Sequence, residues 1–273
     1  MLFLLQLGCV CLFLGRGWQH LVWDAPYRAL FWDENLLKGL VEGLTPFTWT
    51  QYVTHPKVDY AIQILIKATG LFYLCCAFAS FFIKKCPKKV SAFFLIGGAV
   101  SLAFLSFLYC KEKFFHLGQF FEYASQVLIP VFLYLSFNSA PTKRLVFFIN
   151  VAISLTFFSH GLYAMGFYPV PGSYIDMLLR VFPLQETQAR TFIKIIGHID
   201  LVMAVCVFIP KVSTPFLIYG VVWGFLTAFA RLFGNFYLPL FWDILNQWLP
   251  EVLYRIPHGV LPLFLILKKY RGI

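Results

Sequence analysis

Eight stretches of this chain, residues 2–23, 60–83, 90–110, 116–137, 144–166, 190–210, 214–233 and 250–268, are apolar over roughly the 20 residues that a helix needs to cross the hydrocarbon of a bilayer. In hydrocarbon every backbone N–H and C=O must be satisfied within the protein, so such stretches fold as a bundle of α-helices. Composition agrees: 60% of the 273 residues are hydrophobic and 12% charged, and the mean hydropathy is +0.76, outside the range of soluble globular domains. The expected class is therefore an all-α integral membrane protein with eight transmembrane helices. The weakest of the eight is 116–137, because His116, Gln119, Glu122 and Gln126 enter it from one end. A single acid is tolerated in a span when it faces other helices.

The formal net charge of +10 would suggest nucleic acid in a soluble protein, but here topology explains it. The links after the second, fourth and sixth spans, with the C-terminal end, carry Lys84, Lys85, Lys88, Lys89, Lys143, Arg144, Lys211, Lys268, Lys269 and Arg271 and no acid. The other links hold most of the carboxylates, among them Asp24, Asp33, Asp59, Asp176, Glu186 and Glu251. Basic links stay on the cytoplasmic side, which predicts a multi-pass protein of the cytoplasmic (inner) membrane with both termini inside and no nucleic-acid partner. The N-terminus turns apolar at Leu2 and shows neither a basic leader nor an A-x-A cleavage site, so it is expected to remain as the first helix. Of seven cysteines, only Cys110 lies near the outer face, so no outer disulfide is expected, and no Cys/His spacing suits zinc.

One pattern occurs twice. Ile66-Lys67-x-x-Gly70-x-x-x-Leu74 returns as Ile193-Lys194-x-x-Gly197-x-x-x-Leu201, at an offset of 127. Gly17 pairs with Gly161 at 144, Gly98 with Gly220 at 122 and Pro130 with Pro262 at 132. The offset changes only across links, as duplicated helical units with variable loops should behave. This predicts two parallel four-helix repeats, residues 1–138 and 139–273. Residues 24–59 and 168–189 form the longer outer links, where Leu36–Val41 has amphipathic spacing and Trp23, Trp32 and Trp49 suit headgroup depth; short interfacial helices are expected there as a partial lid.

With this topology the ionisable residues inside the spans gather in the outer half. Arg16, Gln19 and His20 end the first span, Gln63 and Lys67 begin the second, and Glu122 and Gln126 begin the fourth. In the second copy His160, Lys194, His198, Asp200, Arg231, Arg255 and His258 take such positions. Intramembrane ionisable groups are costly, and by default they point to a site. Candidate ligand-binding residues are Arg16, His20, Lys67, Glu122, Gln126, His160, Arg231, Arg255 and His258. Lys194, His198 and Asp200 are candidates for acid–base chemistry, although Arg190, Lys194 and His198 share one helix face at i, i+4, i+8 while Asp200 points the other way. Glu251 stands four residues before Arg255, the favourable order for an intrahelical ion pair, and Gly220 and Gly224 offer a small face for close helix packing. Each has a plainer reading. Lys67, Lys194 and Arg231 can snorkel to the headgroups, and the histidines can serve as hydrogen-bonded helix glue. No span supplies an i, i+3 or i, i+4 pair of metal ligands, and no metal is assigned. No nucleophile elbow, phosphate loop or dinucleotide fingerprint is present.

A four-span unit with glycine beside a polar residue near the end of its first helix, here Gly15-Arg16-Gly17 and Ser159-His160-Gly161, resembles the DoxX-like small membrane proteins. Two fused units resemble, more remotely, the membrane part of the HTTM group to which vitamin K-dependent carboxylases belong. The resemblance implies an outer pocket for a quinone-like or lipid-like molecule, in some members coupled to redox chemistry. The chain lacks the large extramembrane domain of the carboxylases, which argues against peptide carboxylation. The leading expectation is a protein that holds an amphipathic ligand, a quinone or a lipid, in an outer polar pocket between its repeats, in the manner of a redox accessory subunit. One alternative is a membrane-embedded enzyme using Lys194, His198 and Asp200; another is a structural or assembly partner of a larger membrane complex. Transport is disfavoured, since the sequence shows no pair of broken helices and the inner half lacks polar lining.

Overall fold

A computed structural model describes residues 1–140 and 142–270. Arg271, one of the C-terminal basic residues, lies outside the described residues. Among these there is no strand. The chain folds into α1 (Leu2–Val22), three short helices α2 (Arg28–Phe31), α3 (Glu34–Leu44) and α4 (Trp49–Thr54), then α5 (Pro56–Phe81), α6 (Lys88–Glu112), α7 (Leu117–Glu122), α8 (Ala124–Asn138), α9 (Lys143–Met165), α10 (Gly172–Val181), α11 (Glu186–Cys206), α12 (Ser213–Gly234) and α13 (Phe241–Tyr270).

Local chemistry sets several boundaries. Asp33 caps α3 by accepting from the Leu36 amide, and Thr48 caps α4 in a reciprocal box with Gln51. Pro56 occupies the first turn of α5, where its missing N–H costs nothing. Gly166, at φ +85°, ends α9 in the left-handed region that glycine enters freely. The short helices expected in the outer links are present as α2, α3, α4 and α10.

Six helical segments are long and apolar enough to cross a membrane: α1, α5, α6, α7 with α8, α9 and α12. The chain is thus an all-helical protein with several apolar helices compatible with a multi-pass membrane protein. The remaining two of the eight expected spans are helices of sufficient length but greater polarity. α11, of 21 residues, carries Glu186, Arg190, Lys194, His198 and Asp200; α13, of 30, carries Asp243, Glu251, Arg255 and His258.

Two helices depart from the expected course. The stretch 116–137 breaks at Tyr123 (φ −84°, ψ 0°) into α7 and α8, although neither glycine nor proline stands there. α13 begins nine residues before the expected 250 and runs through Pro250, Pro257 and Pro262. A proline inside a helix leaves the carbonyl four residues earlier without its N–H. For Pro250 that carbonyl belongs to Asn246, and the indole of Trp23 donates to it at 3.0 Å while Trp18 donates to the Asn246 side chain at 2.9 Å. The end of α1 thus supplies the hydrogen bond that Pro250 removes.

Packing is closest where glycines cross. A Cβ on Gly17 would lie 3.2 Å from the Gly70 carbonyl, so α1 and α5 meet backbone to backbone; on Gly161 it would lie 2.9 Å from the Gly197 carbonyl, joining α9 to α11 in the same way. Gly224 does this for α12 and α13, where an added Cβ would come within 2.8 Å of the His258 carbonyl, the group left free by Pro262. α1 packs on α5, α8 and α13, and α9 packs on α11, α7 and α8. The main apolar core runs through Leu5, Phe13, Tyr73, Phe132, Ile149 and Phe264.

Candidate functional site

Apart from Lys268, the buried ionisable residues, Arg16, His20, Glu122, Asp200, Arg231 and His258, belong to two adjoining regions of different character. The first is solid. Arg16 has no exposed surface; its guanidinium donates to Gln19 and Gln126, each at 2.7 Å, and lies 3.7 Å from the ring centroid of Tyr254 and 5.0 Å from that of Tyr123. Among the described residues no carboxylate forms an ion pair with it, so amide oxygens and aromatic faces offset its desolvation. His20 is equally buried, donates from Nδ1 to the Arg16 carbonyl at 2.7 Å and meets Tyr73 edge-on.

The break at Tyr123 sets Glu122 against the second half of the chain. Its carboxylate lies 3.8 Å from His160 Nε2 and 3.7 Å from Arg255 Nη1, and accepts from Gln119 at 3.0 Å. Arg231 Nε lies 2.5 Å from Glu251. The helical spacing of Glu251 and Arg255 suggested a pair within one helix; the structure instead pairs each with another element, Glu251 with α12 and Arg255 with α7. Side chains at i and i+4 on α13 are close, but the nearest ion-pair contacts of both run sideways, to Arg231 on α12 and to Glu122 on α7.

The second region is hollow. A cavity of about 630 Å³ lies among α9, α10, α11, α12 and α13. Its walls are mostly apolar, with Phe157, Trp223 and Phe225 among them, and its polar surface comes from His160, Asp200, Arg231, Arg255 and His258. α10 closes one end through Tyr174 and Met177. Asp200, 1% exposed, accepts a 2.6 Å hydrogen bond from Tyr219. The rings of His160 and His258 stand 5.7 Å apart, and His258 Nε2 and Arg255 Nε are buried without a hydrogen-bond partner. Tyr174 contributes a hydroxyl 3.3 Å from His160 Nδ1, and burial raises its pKa, so it is a protonated donor at neutral pH.

The cavity lies within the second half of the chain. It is not between the halves, as the sequence reading set it: that junction is polar but filled, by Arg16, Gln126, Tyr123 and Tyr254. Of the candidate residues, His160, Asp200, Arg231, Arg255 and His258 line the cavity and Glu122 stands behind two of them. Arg16, His20 and Gln126 form the neighbouring solid cluster. Lys67, Lys194 and His198 are not brought to either region, because they lie on the exposed faces of α5 and α11, where His198 Nδ1 only donates to the Lys194 carbonyl. Sequence reasoning missed Tyr219, Tyr174 and Tyr254, since no spacing along one helix reveals a partner on another. No known family, curated protein or solved structure was found to match the chain.

Proposed function

We propose that this chain is an eight-span protein of the cytoplasmic membrane, built of two four-helix repeats, that holds an amphipathic ligand, quinone-like or lipid-like, in the cavity of its second half. The carrying observation is the cavity itself: apolar walls sized for a small ligand, with two arginines and two histidines converging on one side. Such a surface suits a molecule with a hydrocarbon body and a hydrogen-bond-accepting head.

The repeat is supported by contacts that recur at the sequence offsets. Gly17 crosses Gly70 as Gly161 crosses Gly197; Gly98 touches Cys76 as Gly220 touches Met203. Arg16 meets Gln126 and Tyr254 while its counterpart His160 meets His258 and Glu122, the counterparts of those two residues. α11 and α13, too polar to qualify on apolarity alone, bury Asp200, His258 and most of Arg255, while α11 keeps Lys194 and His198 on its exposed face, from which a span there needs them to reach toward the headgroups. The positive-inside distribution supports both termini in the cytoplasm, and the resemblance to DoxX-like proteins supports a role as a redox accessory subunit. The acid–base alternative would need Lys194 or His198 beside Asp200, and those two side chains face away from it.

The test is mass spectrometry of small molecules retained through gentle purification of the intact protein. A lipophilic compound recovered in stoichiometric amount from the native chain, and lost from Arg255→Gln, supports the proposal. Purified protein that is monodisperse yet empty, and that shows no uptake of added quinones or lipids, overturns it.

A further inference from the structure

We infer that the cavity opens sideways, between α11 and α12, into the membrane, and that it admits a long-chain amphiphile head first, the head being an oxyanion such as a carboxylate or phosphate. This deepens the ligand-binding reading and rests on it. The lining is graded from one side to the other. Its deep side is Asp200, Arg231 and His258, all at most 7% exposed, whereas its opposite rim is Phe192, Val222, Leu226 and Phe233, exposed by 40%, 57%, 53% and 67%. Those rim residues lie on α11 and α12, on surface that would face acyl chains. A water-soluble polar ligand would have to cross this apolar rim, which opposes it; a lipid already shares that environment.

Two further features close the other routes. α10 packs on both α11 and α12 and covers the end of the cavity nearest the longer links, so the aqueous side is roofed. At the opposite end, the Tyr219–Asp200 hydrogen bond and the contact of Gly220 with Met203 draw α12 onto α11. The exposed lining residues Val222 and Leu226 of α12 lie between these two closures. The corresponding helices of the first half, α5 and α6, pack together more extensively, with Phe72 against Phe93 and Phe94.

The head is identified by what awaits it. Arg231 and Arg255 reach the cavity with their glutamates, Glu251 and Glu122, behind them and outside the lining. His258 Nε2 and Arg255 Nε have no partner, and Tyr174 adds a hydroxyl. Cationic and neutral donors therefore outnumber Asp200, the one carboxylate in the lining.

The experiment uses the full chain in phosphatidylcholine liposomes with diazirine probes, cross-links being mapped to peptides. The probes are palmitate, phosphatidylglycerol with a diazirine acyl chain, hexadecane and water-soluble hexanoate. Val222→Trp with Leu226→Trp obstructs the rim at exposed positions that leave the core intact; Val100→Trp with Phe104→Trp, at the offset-related places on α6, is the control. Expected is labelling of cavity residues by palmitate or phosphatidylglycerol, the stronger of the two naming a free acid or a phospholipid head as the source, and about tenfold less labelling in the rim variant but not in the control. Equal labelling by hexadecane overturns the oxyanion head. Equal labelling by hexanoate, unaffected by the rim variant, overturns access from the membrane while leaving the ligand-binding reading in place. Absence of cavity labelling by every probe overturns both.

Discussion

Arg231 on α12 and Glu251 on α13 form an ion pair, 2.5 Å from Nε to the carboxylate, at the edge of the cavity. The arginine side chain is 9% exposed and the glutamate 32%, so removing the acid strands a nearly buried cation. Glu251→Gln should lower stability by about 2–3 kcal/mol, reduced from the fully buried case by the glutamate's partial exposure. Thermal unfolding in detergent would measure it. An unchanged midpoint would mean that Arg231 turns away to solvent once released.

The glycine crossings should tolerate no added bulk. Gly161→Val and Gly197→Val each push side-chain atoms onto a backbone carbonyl about 3 Å away, and each should destabilise the chain by about 1–3 kcal/mol. Gly39→Val, where nothing lies within 4 Å, serves as the comparison and should unfold at the wild-type temperature.

Tyr219→Phe removes the donor to Asp200 and leaves a carboxyl group, 1% exposed, without that hydrogen bond. A loss of about 1–3 kcal/mol is expected, and Asp200→Leu in the Tyr219→Phe background should recover part of it, because an apolar pair needs no hydrogen bond. A double-mutant cycle reads the coupling directly; additive effects would show that the bond contributes nothing.

Lys67, Lys194 and His198 stand on exposed helix faces. Alanine at each should change stability by no more than about 0.5 kcal/mol and leave ligand retention as in the wild type. Loss of the retained compound from Lys194→Ala alone would put the acid–base alternative ahead of the ligand-binding reading.

Asp33 has a lowered pKa, held down by its hydrogen bonds from Lys111 and from the Leu36 amide. A depressed carboxylate contributes stability above its unfolded pKa of about 3.9 and loses it as pH falls through the folded value. Protection factors for amide hydrogen exchange across residues 34–44, the intrinsic rate at each pH divided by the observed rate, should therefore hold from neutral pH down to about 5 and fall below about 4. Asp33→Asn, which keeps a capping oxygen for the Leu36 amide but loses the charge that Lys111 meets, should already be less protected at neutral pH; equal protection in both chains would remove the Asp33 carboxylate as the anchor of α3.

Much of this was legible because apolar periodicity survives folding unchanged: α1, α9 and α12 begin and end within about two residues of the expected spans. What was hidden depends on contacts between helices. Nothing at Tyr123 announces a break, since the Ser125 amide that leaves the helical ladder there donates instead to Thr156 on α9, at 3.1 Å. Nothing at Pro250 announces continuity, since the missing hydrogen bond at the Asn246 carbonyl is supplied by Trp23, 223 residues earlier. The polar residues were recognisable as a group from the cost of burying them, but which of them border empty space was not. Arg16 and Tyr73 are fully buried in packed surroundings, whereas His160 and Asp200, shorter side chains 144 and 127 residues further on, border the cavity.

The tight crossings at Gly197 and Gly224 have a mechanical corollary. α11 is fastened to α9 and α12 to α13, so the seam between α11 and α12 separates two rigid planks, each braced from behind. Parting them by an ångström or two breaks no backbone hydrogen bond and unwinds no turn. A ligand of the kind proposed would therefore need only that one seam to flex, with the Tyr219–Asp200 hydrogen bond across it yielding, to enter or leave.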